Sequence, residues 1–202
     1  MKEGYEKSHY DGSIFRKDGK QTRMENYFLG TLAKLVPDRA RVLDLGCGTG
    51  LPVDAYLVKQ GFNVTGVDFC LRHINLARRN VPQGEFIEGD LSKVDFDEES
   101  FDVVLSLYAI FHLPRKEHED LFLRIRSFLK DNGIMLVTLG TSDHKYGEER
   151  DWCGAPVMAW SMYDPDRYKE MITRTGFAIL DHSFEGKPTD DEYHFWLLAQ
   201  KE

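Results

Sequence analysis

The chain has 202 residues, and 42% of them are hydrophobic, which is enough for one domain with a complete core and too many for a disordered chain. Its formal net charge of −8 disfavours nonspecific binding to nucleic acid or to an anionic membrane surface. The three cysteines, Cys47, Cys70 and Cys153, fit no zinc pattern, and we find neither a secretory leader nor an apolar run of bilayer length. We therefore expect a cytoplasmic protein with reduced thiols, no membrane association and no metal site.

Strand-like and helix-like segments alternate along most of the chain. This alternation is typical of a parallel sheet covered by helices on both faces. The predicted parallel strands are Val42–Leu45, Asn63–Val67, Glu85–Ile87, Asp102–Leu107 and Ile134–Leu139.

Proline and glycine positions predict where the intervening helices begin and end. Pro52 fits the first turn of a helix, where its missing N–H costs nothing. A run of apolar residues with helical spacing is expected to end at Gly133. Near the end of the chain, Asp164 and Pro165 predict a capped helix start, and Gly176 predicts its end.

Three segments depart from the alternation. Phe177–Phe184 and Tyr193–Lys201 flank a polar loop, which indicates an antiparallel hairpin closing the sheet. Residues 1–20 are expected to close as a lid over a ligand, with a frayed terminus as the alternative. The stretch 140–163 is predicted to be a long loop, and a loop of that length inside a compact domain is usually functional or mobile.

A glycine-rich turn, RVLDLGCGTG, follows the first predicted strand. Gly46, Gly48 and Gly50 form G-x-G-x-G, and Leu51 stands where a dinucleotide fingerprint has its third glycine. Asp44, inside the strand, would repel a pyrophosphate at the helix N-terminus and favour a cation. The turn therefore favours S-adenosylmethionine (SAM), which carries a sulfonium and an ammonium and no phosphate.

Two further acids follow the next two strands. Asp68 comes 20 residues after Gly48, where a carboxylate can accept both hydroxyls of a ribose. Asp90 is placed to accept from the exocyclic amine of adenine, beside the backbone of Leu91. Each acid alone has an alternative reading as a solvated loop residue. Because parallel strands end at one edge of a sheet, the three acids together predict an adenosine site.

With these motifs the sequence resembles the class I SAM-dependent methyltransferases, a seven-stranded Rossmann-like family. VLDLGCGTG looks like the first motif of that family, VTGVDFC like its ribose-binding motif and FIEGDL like its adenine-binding motif. DEESFDVVLSLYAIFHLP and LKDNGIMLVTLG resemble its fourth-strand and fifth-strand segments. The resemblance covers roughly residues 41–140 and is closest in character to small-molecule methyltransferases similar to those of quinone biosynthesis.

The resemblance implies a fold, a cofactor and further site residues. The implied fold is a mostly parallel seven-stranded sheet with an antiparallel last strand and helices on both faces, forming one methyltransferase domain over residues 1–202. The implied methyl donor is SAM, and the product is S-adenosylhomocysteine. Cofactor contacts are implied for Cys47 and Phe69 beside the acids and glycines, and for the backbone of Leu107 near the methionine part.

Methyl transfer from a sulfonium is an in-line displacement that needs alignment and exclusion of water more than a base. We therefore expect no catalytic triad. His112 is a candidate general base, or a histidine that only packs, and Tyr108 is a candidate catalytic residue or a wall of the cleft. No D/N-P-P-Y or Pro-Cys motif is present, and carboxylates suited to magnesium are not clustered, so a nucleic-acid acceptor and a metal are disfavoured.

Aromatic residues outside the motifs are candidates for binding a small-molecule methyl acceptor. Trp152, Trp160 and Tyr163 lie within 140–163, and Tyr10 lies in the predicted lid. The alternative for the first three is a hydrophobic plug that covers the sheet edge. For the whole protein, the alternatives are a non-catalytic SAM-binding regulator, a nicotinamide oxidoreductase, which Asp44 opposes, and a methyltransferase with a protein or RNA acceptor.

Overall fold

The structure is a computed structural model that describes residues 6, 21–151, 153, 157–189 and 193–202. The helices are α1 (Arg23–Leu35), α2 (Val53–Lys59), α3 (Leu71–Asn80), α4 (His118–Phe128) and α5 (Pro165–Arg174). The strands are β1 (Arg41–Leu45), β2 (Asn63–Asp68), β3 (Glu85–Glu88), β4 (Phe101–Ser106), β5 (Leu129–Leu139), β6 (His144–Glu149), β7 (Met158–Met162), β8 (Phe177–Glu185) and β9 (His194–Lys201). Two 3₁₀ turns, Ile110–His112 and Arg115–Glu117, lie between β4 and α4.

Seven of these strands form one sheet in the order β3-β2-β1-β4-β5-β9-β8. The strands β1 to β5 pair in parallel, whereas β9 pairs antiparallel with both β5 and β8. The predicted α/β sheet with an antiparallel hairpin at its end is therefore confirmed. The chain leaves β1 toward β3 and returns on the other side of β1 to form β4. The crevice at the carboxyl ends of β1 and β4 is where sheets of this kind bind ligands.

Apolar side chains pack on both faces of the sheet, as expected for a sheet between two helical layers. On one face, Phe122 of α4 and Tyr168 of α5 are fully buried against the central strands. On the other face, Phe28 of α1 stacks on Trp196 of β9 with ring centroids 5.2 Å apart. Among the described residues, no helix combines the length and the apolar character that crossing a membrane requires.

The predicted start of the last helix is confirmed in detail. The Asp164 carboxylate accepts hydrogen bonds from the amides of Asp166 and Arg167, each at 3.0 Å, and Pro165 is the first helical residue. Gly176, with φ of +87°, follows the helix and turns the chain into β8.

The prediction that Gly133 ends the preceding helix is wrong. The helix α4 ends at Phe128, and Leu129 already pairs with Phe101 in the ladder between β4 and β5. Leu129 is fully buried by this pairing, so strand formation fixes the boundary, and Gly133 lies inside β5.

The segment 140–163 is not the long loop that we predict from its sequence. It contains the β6–β7 hairpin, which pairs with itself and not with the main sheet. Five of the six β6 residues are exposed, so this strand lacks the apolar alternation by which strands are recognised. In β7, Met158 and Ser161 are buried, and they hold the hairpin against the domain.

Candidate active site

The glycine turn joins β1 to α2 and is held against β2. The amides of Gly46 and Cys47 both donate to the Val67 carbonyl, at 2.7 and 3.0 Å. Gly46 has a φ of +93°, and a methyl group on its Cα would lie 2.5 Å from the Cβ of Ala109. Only glycine fits at this position, because a side chain would clash with the segment that follows β4.

The carboxylate of Asp68, at the end of β2, anchors two loops. Its Oδ2 accepts from the Gly48 amide at 3.0 Å, and its Oδ1 accepts from the Cys70 amide at 2.8 Å. The Nδ1 of His73 lies 3.6 Å from Oδ1. Each carboxylate oxygen has a second lone pair, so this anchored acid retains the capacity to accept the two hydroxyls of a ribose.

Asp68, Cys70 and His73 also form the one group of three possible metal ligands in the described part of the chain, with donor atoms within 4.8 Å of one another. The carboxylate of this group already accepts two backbone hydrogen bonds. The grouping is explained by the anchoring of Asp68, and we assign no metal to it.

Asp90 follows β3 and is held by the residues after it. Its Oδ1 accepts from the amide and the hydroxyl of Ser92, at 3.0 and 2.7 Å, and its Oδ2 lies 3.1 Å from the Lys93 ammonium. Partial burial raises the pKa of Asp90, but the Ser92 hydrogen bonds and the Lys93 charge outweigh it, so the pKa lies below its usual value. The carboxylate is therefore an ionised acceptor at neutral pH.

A cavity of about 650 Å³ opens at the carboxyl ends of β1 and β4. This volume is within the usual range for a small-molecule site. The cavity is lined by every residue predicted to bind the cofactor and by both residues predicted to be catalytic, namely Asp44, Gly46, Cys47, Gly48, Asp68, Phe69, Asp90, Leu91, Leu107, Tyr108 and His112. The structure thus brings these residues together around one space.

Tyr108, just after β4, has a φ of +56°, a strained conformation for a tyrosine of the kind that clusters at functional sites. Its amide donates to the Thr138 hydroxyl, and its own hydroxyl donates to Oε2 of Glu185 at 2.7 Å. The indole of Trp196 donates to the same oxygen at 2.9 Å. Because the Tyr108 hydroxyl already donates to an acceptor, this geometry favours a role for Tyr108 as a wall of the cleft over a catalytic role.

His112 lies at the end of the first 3₁₀ turn, with its Nδ1 3.0 Å from the Ala159 carbonyl oxygen. A carbonyl oxygen only accepts, so Nδ1 carries the proton and Nε2 is the basic nitrogen. Burial lowers the pKa of His112 to about 4, against the Ala159 hydrogen bond, and His194 lowers it further. The imidazole is therefore neutral at pH 7.

A second cavity, of about 270 Å³, lies between this turn and the β6–β7 hairpin, and His112 lines both cavities. Trp160 lines the second cavity, and its ring centroid is 5.5 Å from that of His112. Tyr163 lines neither cavity, because it packs under the Arg115 guanidinium, 4.5 Å from its ring centroid, and against Tyr168. The predicted residues Tyr10 and Trp152 lie outside the described residues.

Sequence reasoning misses two acids near the site. Asp54 is fully buried in α2, on the same side as Val53 and Leu57, and an acid within that apolar stripe is a signal that the sequence does contain. Glu185, the acceptor for Tyr108, stands at the end of β8 beside a polar loop, where no local pattern distinguishes it from a solvated residue.

Comparison with known proteins identifies the family. A model described as a methyltransferase domain matches residues 42–133. The chain is 33% identical to a protein of Encephalitozoon cuniculi whose name assigns it to the methyltransferases, over 79% of this chain and 78% of that one. It is also 26% identical to the phosphoethanolamine N-methyltransferase of Plasmodium falciparum over 71% of its own length, and spans only 49% of that enzyme.

The fold matches solved structures of this family as well. One is the 1,6-didemethyltoxoflavin-N1-methyltransferase of Burkholderia thailandensis, solved with S-adenosylhomocysteine and 1,6-didemethyltoxoflavin bound. The TM-score is 0.71 at 22% identity, over 95% of this chain and 82% of that one, so this match shows the fold alone. The family is shown by the relative in Encephalitozoon, which is 33% identical over most of both chains. This chain belongs to the class I SAM-dependent methyltransferases and is an enzyme that uses SAM as its methyl donor.

Proposed function

We propose that this enzyme transfers the methyl group of SAM by in-line displacement to a small molecule held under the β6–β7 hairpin. The observation that carries the proposal is that two cavities adjoin at His112. The larger one gathers the glycine turn and the strand-end acids suited to SAM, and the smaller one has an aromatic wall suited to an acceptor. Adjoining sites are what in-line transfer requires, because donor and acceptor approach the methyl group from opposite sides.

The charges around the second cavity narrow the class of acceptor. Among the described residues that line it, Glu148 is an acid and none is a lysine or an arginine. With His112 neutral at pH 7, no cation there would balance a phosphate or a carboxylate on the acceptor. We therefore propose a neutral or cationic acceptor with a planar or apolar part that packs on Trp160, which differs from the phosphate-bearing acceptor named for the Plasmodium relative.

The role proposed for His112 follows from its low pKa. A general base works best with a pKa near the working pH, and His112 lies well below neutrality. The Nε2 of this histidine is suited to accept a hydrogen bond from the O–H or N–H of the acceptor and so to aim its lone pair at the methyl group.

We also propose that the enzyme works in the cytoplasm. All three cysteines are free thiols in the structure, and two of them are buried, which suits a reducing compartment.

The net charge of −8 further favours a small molecule over a nucleic acid as the acceptor.

The direct test of the cofactor site is a calorimetric titration with SAM, S-adenosylhomocysteine and NAD. We expect micromolar dissociation constants for the first two, about −8 kcal/mol, because the acids attract a cation and the glycine turn admits adenosine. We expect no heat with NAD, since Asp44 repels its pyrophosphate. Tight NAD binding with no response to SAM would overturn the proposal. Release of S-adenosylhomocysteine in the presence of a panel of amines, phenols and heteroaromatic acceptors then tests the second cavity.

The Trp160→Ala variant tests whether Trp160 forms a wall of the acceptor site or a hydrophobic plug that only stabilises the fold. Trp160 is partly exposed and lines only the second cavity, so the variant is expected to keep its melting temperature and its SAM affinity within about twofold. The KM for the best acceptor of the panel should rise by a factor corresponding to about 2–3 kcal/mol, the usual contribution of a buried aromatic contact. A plug predicts instead a loss of about 3–5 kcal/mol in stability together with weaker SAM binding. Melting curves and SAM titrations on the same preparation decide between them.

A further inference from the structure

Two carboxyl groups are buried beneath the glycine turn. Asp44, in β1, is 4% exposed and lines the larger cavity, whereas Asp54, in α2, is 0% exposed and lies behind it. Apart from Asp44, no group in the described part of the chain hydrogen-bonds the oxygens of Asp54. Two neighbouring buried carboxylates repel each other strongly when both are ionised. The pair is therefore expected to share one proton.

The surroundings of Asp44 and Asp54 favour retention of the shared proton. Burial, followed by the negative charge of Asp44 and by hydrogen bonding to it, raises the pKa of Asp54 well above its usual 3.8. Within the described part of the chain, the Cys47 thiol in the glycine turn lies close enough to both acids, and to Asp68 at the end of β2, to be influenced by their charges. Burial, and then the charges of Asp54, Asp44 and Asp68, raise the pKa of the Cys47 thiol well above its usual value, so the thiol is uncharged at neutral pH. Among the described residues, no cationic group contributes to the pKa of Asp54.

We propose that Asp54 is a positioning residue that keeps a proton on the Asp44–Asp54 pair until the cationic end of SAM binds beside Asp44, and that this proton then leaves to solvent. The inference rests on the proposed cofactor site. The acids at the strand ends explain why a cation binds there. They do not explain why a further acid, Asp54, is buried behind them with Asp44 as its one partner among the described residues.

The coupling follows from charge balance. SAM carries positive charges on its sulfonium and its ammonium and a negative charge on its carboxylate, so it is a net cation. A cation beside a carboxylate pair favours the ionised form of both acids. Without the cofactor, a single shared negative charge is retained, so the repulsion between the acids stays small. Release of one proton per molecule bound makes the affinity rise up to about tenfold for each pH unit. S-adenosylhomocysteine lacks the sulfonium charge and should release fewer protons.

The first experiment compares the parent with Asp54→Asn by calorimetry with SAM, between pH 6 and 7.5, in two buffers with different heats of ionisation. The α-amine of SAM titrates near the upper end of this range, so the difference in proton release between parent and variant is the quantity that tests the coupling. We expect the parent to release up to about one proton more than the variant and to show the steeper rise of affinity with pH. Equal proton release by parent and variant would overturn the coupling.

The second experiment needs no cofactor. A folded-state pKa above the unfolded value means that the folded chain holds a proton that the unfolded chain releases above about pH 4. The stability from this pair is thus present at low pH and lost as pH rises through the folded pKa. The melting temperature of Asp54→Asn, relative to the parent, should therefore rise by about 3 °C or more between pH 4 and 8. Parallel melting curves would overturn the shared proton.

The two experiments distinguish a failure of the proton coupling from a failure of the proposed cofactor site. SAM binding to the parent without a proton difference overturns only the coupling. Absence of SAM binding to the parent overturns the proposed cofactor site and the coupling with it, whereas the melting series still tests the pair. Should Asp54→Asn fold poorly at every pH, Asp54→Ser removes the same acid with a smaller side chain, and the same two outcomes apply.

Discussion

Gly46→Ala is expected to destabilise the protein by about 3–5 kcal/mol and to abolish SAM binding. The new methyl group would lie 2.5 Å from the Cβ of Ala109, and a φ of +93° is strained for any residue with a side chain. Relief requires that the glycine turn move away from the end of β4, and that movement would break the hydrogen bonds of the turn to Val67. Urea unfolding and a SAM titration measure the two effects.

Gly48→Ala is the matched variant in the same turn. Apart from its chain neighbours, no described residue has an atom within 4 Å of a methyl group placed there, so the methyl group would project into space beside the cavity that Gly48 lines. We expect a loss of only about 1 kcal/mol from the backbone strain at φ of +55°, with SAM bound at least about tenfold more weakly. Gly30→Ala in α1, also with open space around it, is the control and should be neutral or stabilising. A Gly46→Ala variant as stable as Gly48→Ala would contradict the clash.

The ligand-binding edge of the sheet is predictable from the sequence because its determinants are local. A glycine pattern after a strand requires left-handed backbone wherever the strand lies, and Gly46 and Gly48 have positive φ values. Parallel strands all end at the same edge, so the alternation of elements is sufficient to bring Asp44, Asp68 and Asp90 around one cavity.

The features that the sequence does not reveal depend on contacts between distant segments. The helix α4 ends before Leu129 because Leu129 pairs with β4. The positions of the glycines in the sequence do not indicate this pairing. The polar strand β6 is stable only because β7 pairs with it and packs against the 3₁₀ turn through the Ala159 carbonyl. The hydroxyl of Tyr108 donates to Glu185, which is 77 residues away in the sequence, and no local pattern predicts this pairing.

Asp68→Asn is expected to weaken SAM binding by about 1.5–3 kcal/mol, or roughly 10- to 150-fold. The amide has one acceptor oxygen where the carboxylate has two, so either the Gly48 amide or the Cys70 amide faces an NH₂ group in place of an oxygen. The contact with the ribose also loses its charge assistance. Because the acid is 8% exposed and anchors both loops, a loss of about 1–3 kcal/mol in stability accompanies the change. Asp95→Asn, at an exposed acid outside both cavities, controls for the change in net charge.

The ribose contact itself is isolated by a cycle of two proteins and two ligands. The probes are 5′-methylthioadenosine and its 2′-deoxy form, which differ by one hydroxyl and carry no charge. We expect the parent to prefer the hydroxylated ligand by about 1.5 kcal/mol or more, since Asp68 accepts from that hydroxyl as an ion. In Asp68→Asn this preference should fall to a few tenths of a kcal/mol, whereas Asp95→Asn should keep it in full. A preference of the same size in all three proteins would show that Asp68 only anchors the Gly48 and Cys70 loops and that another group holds the ribose.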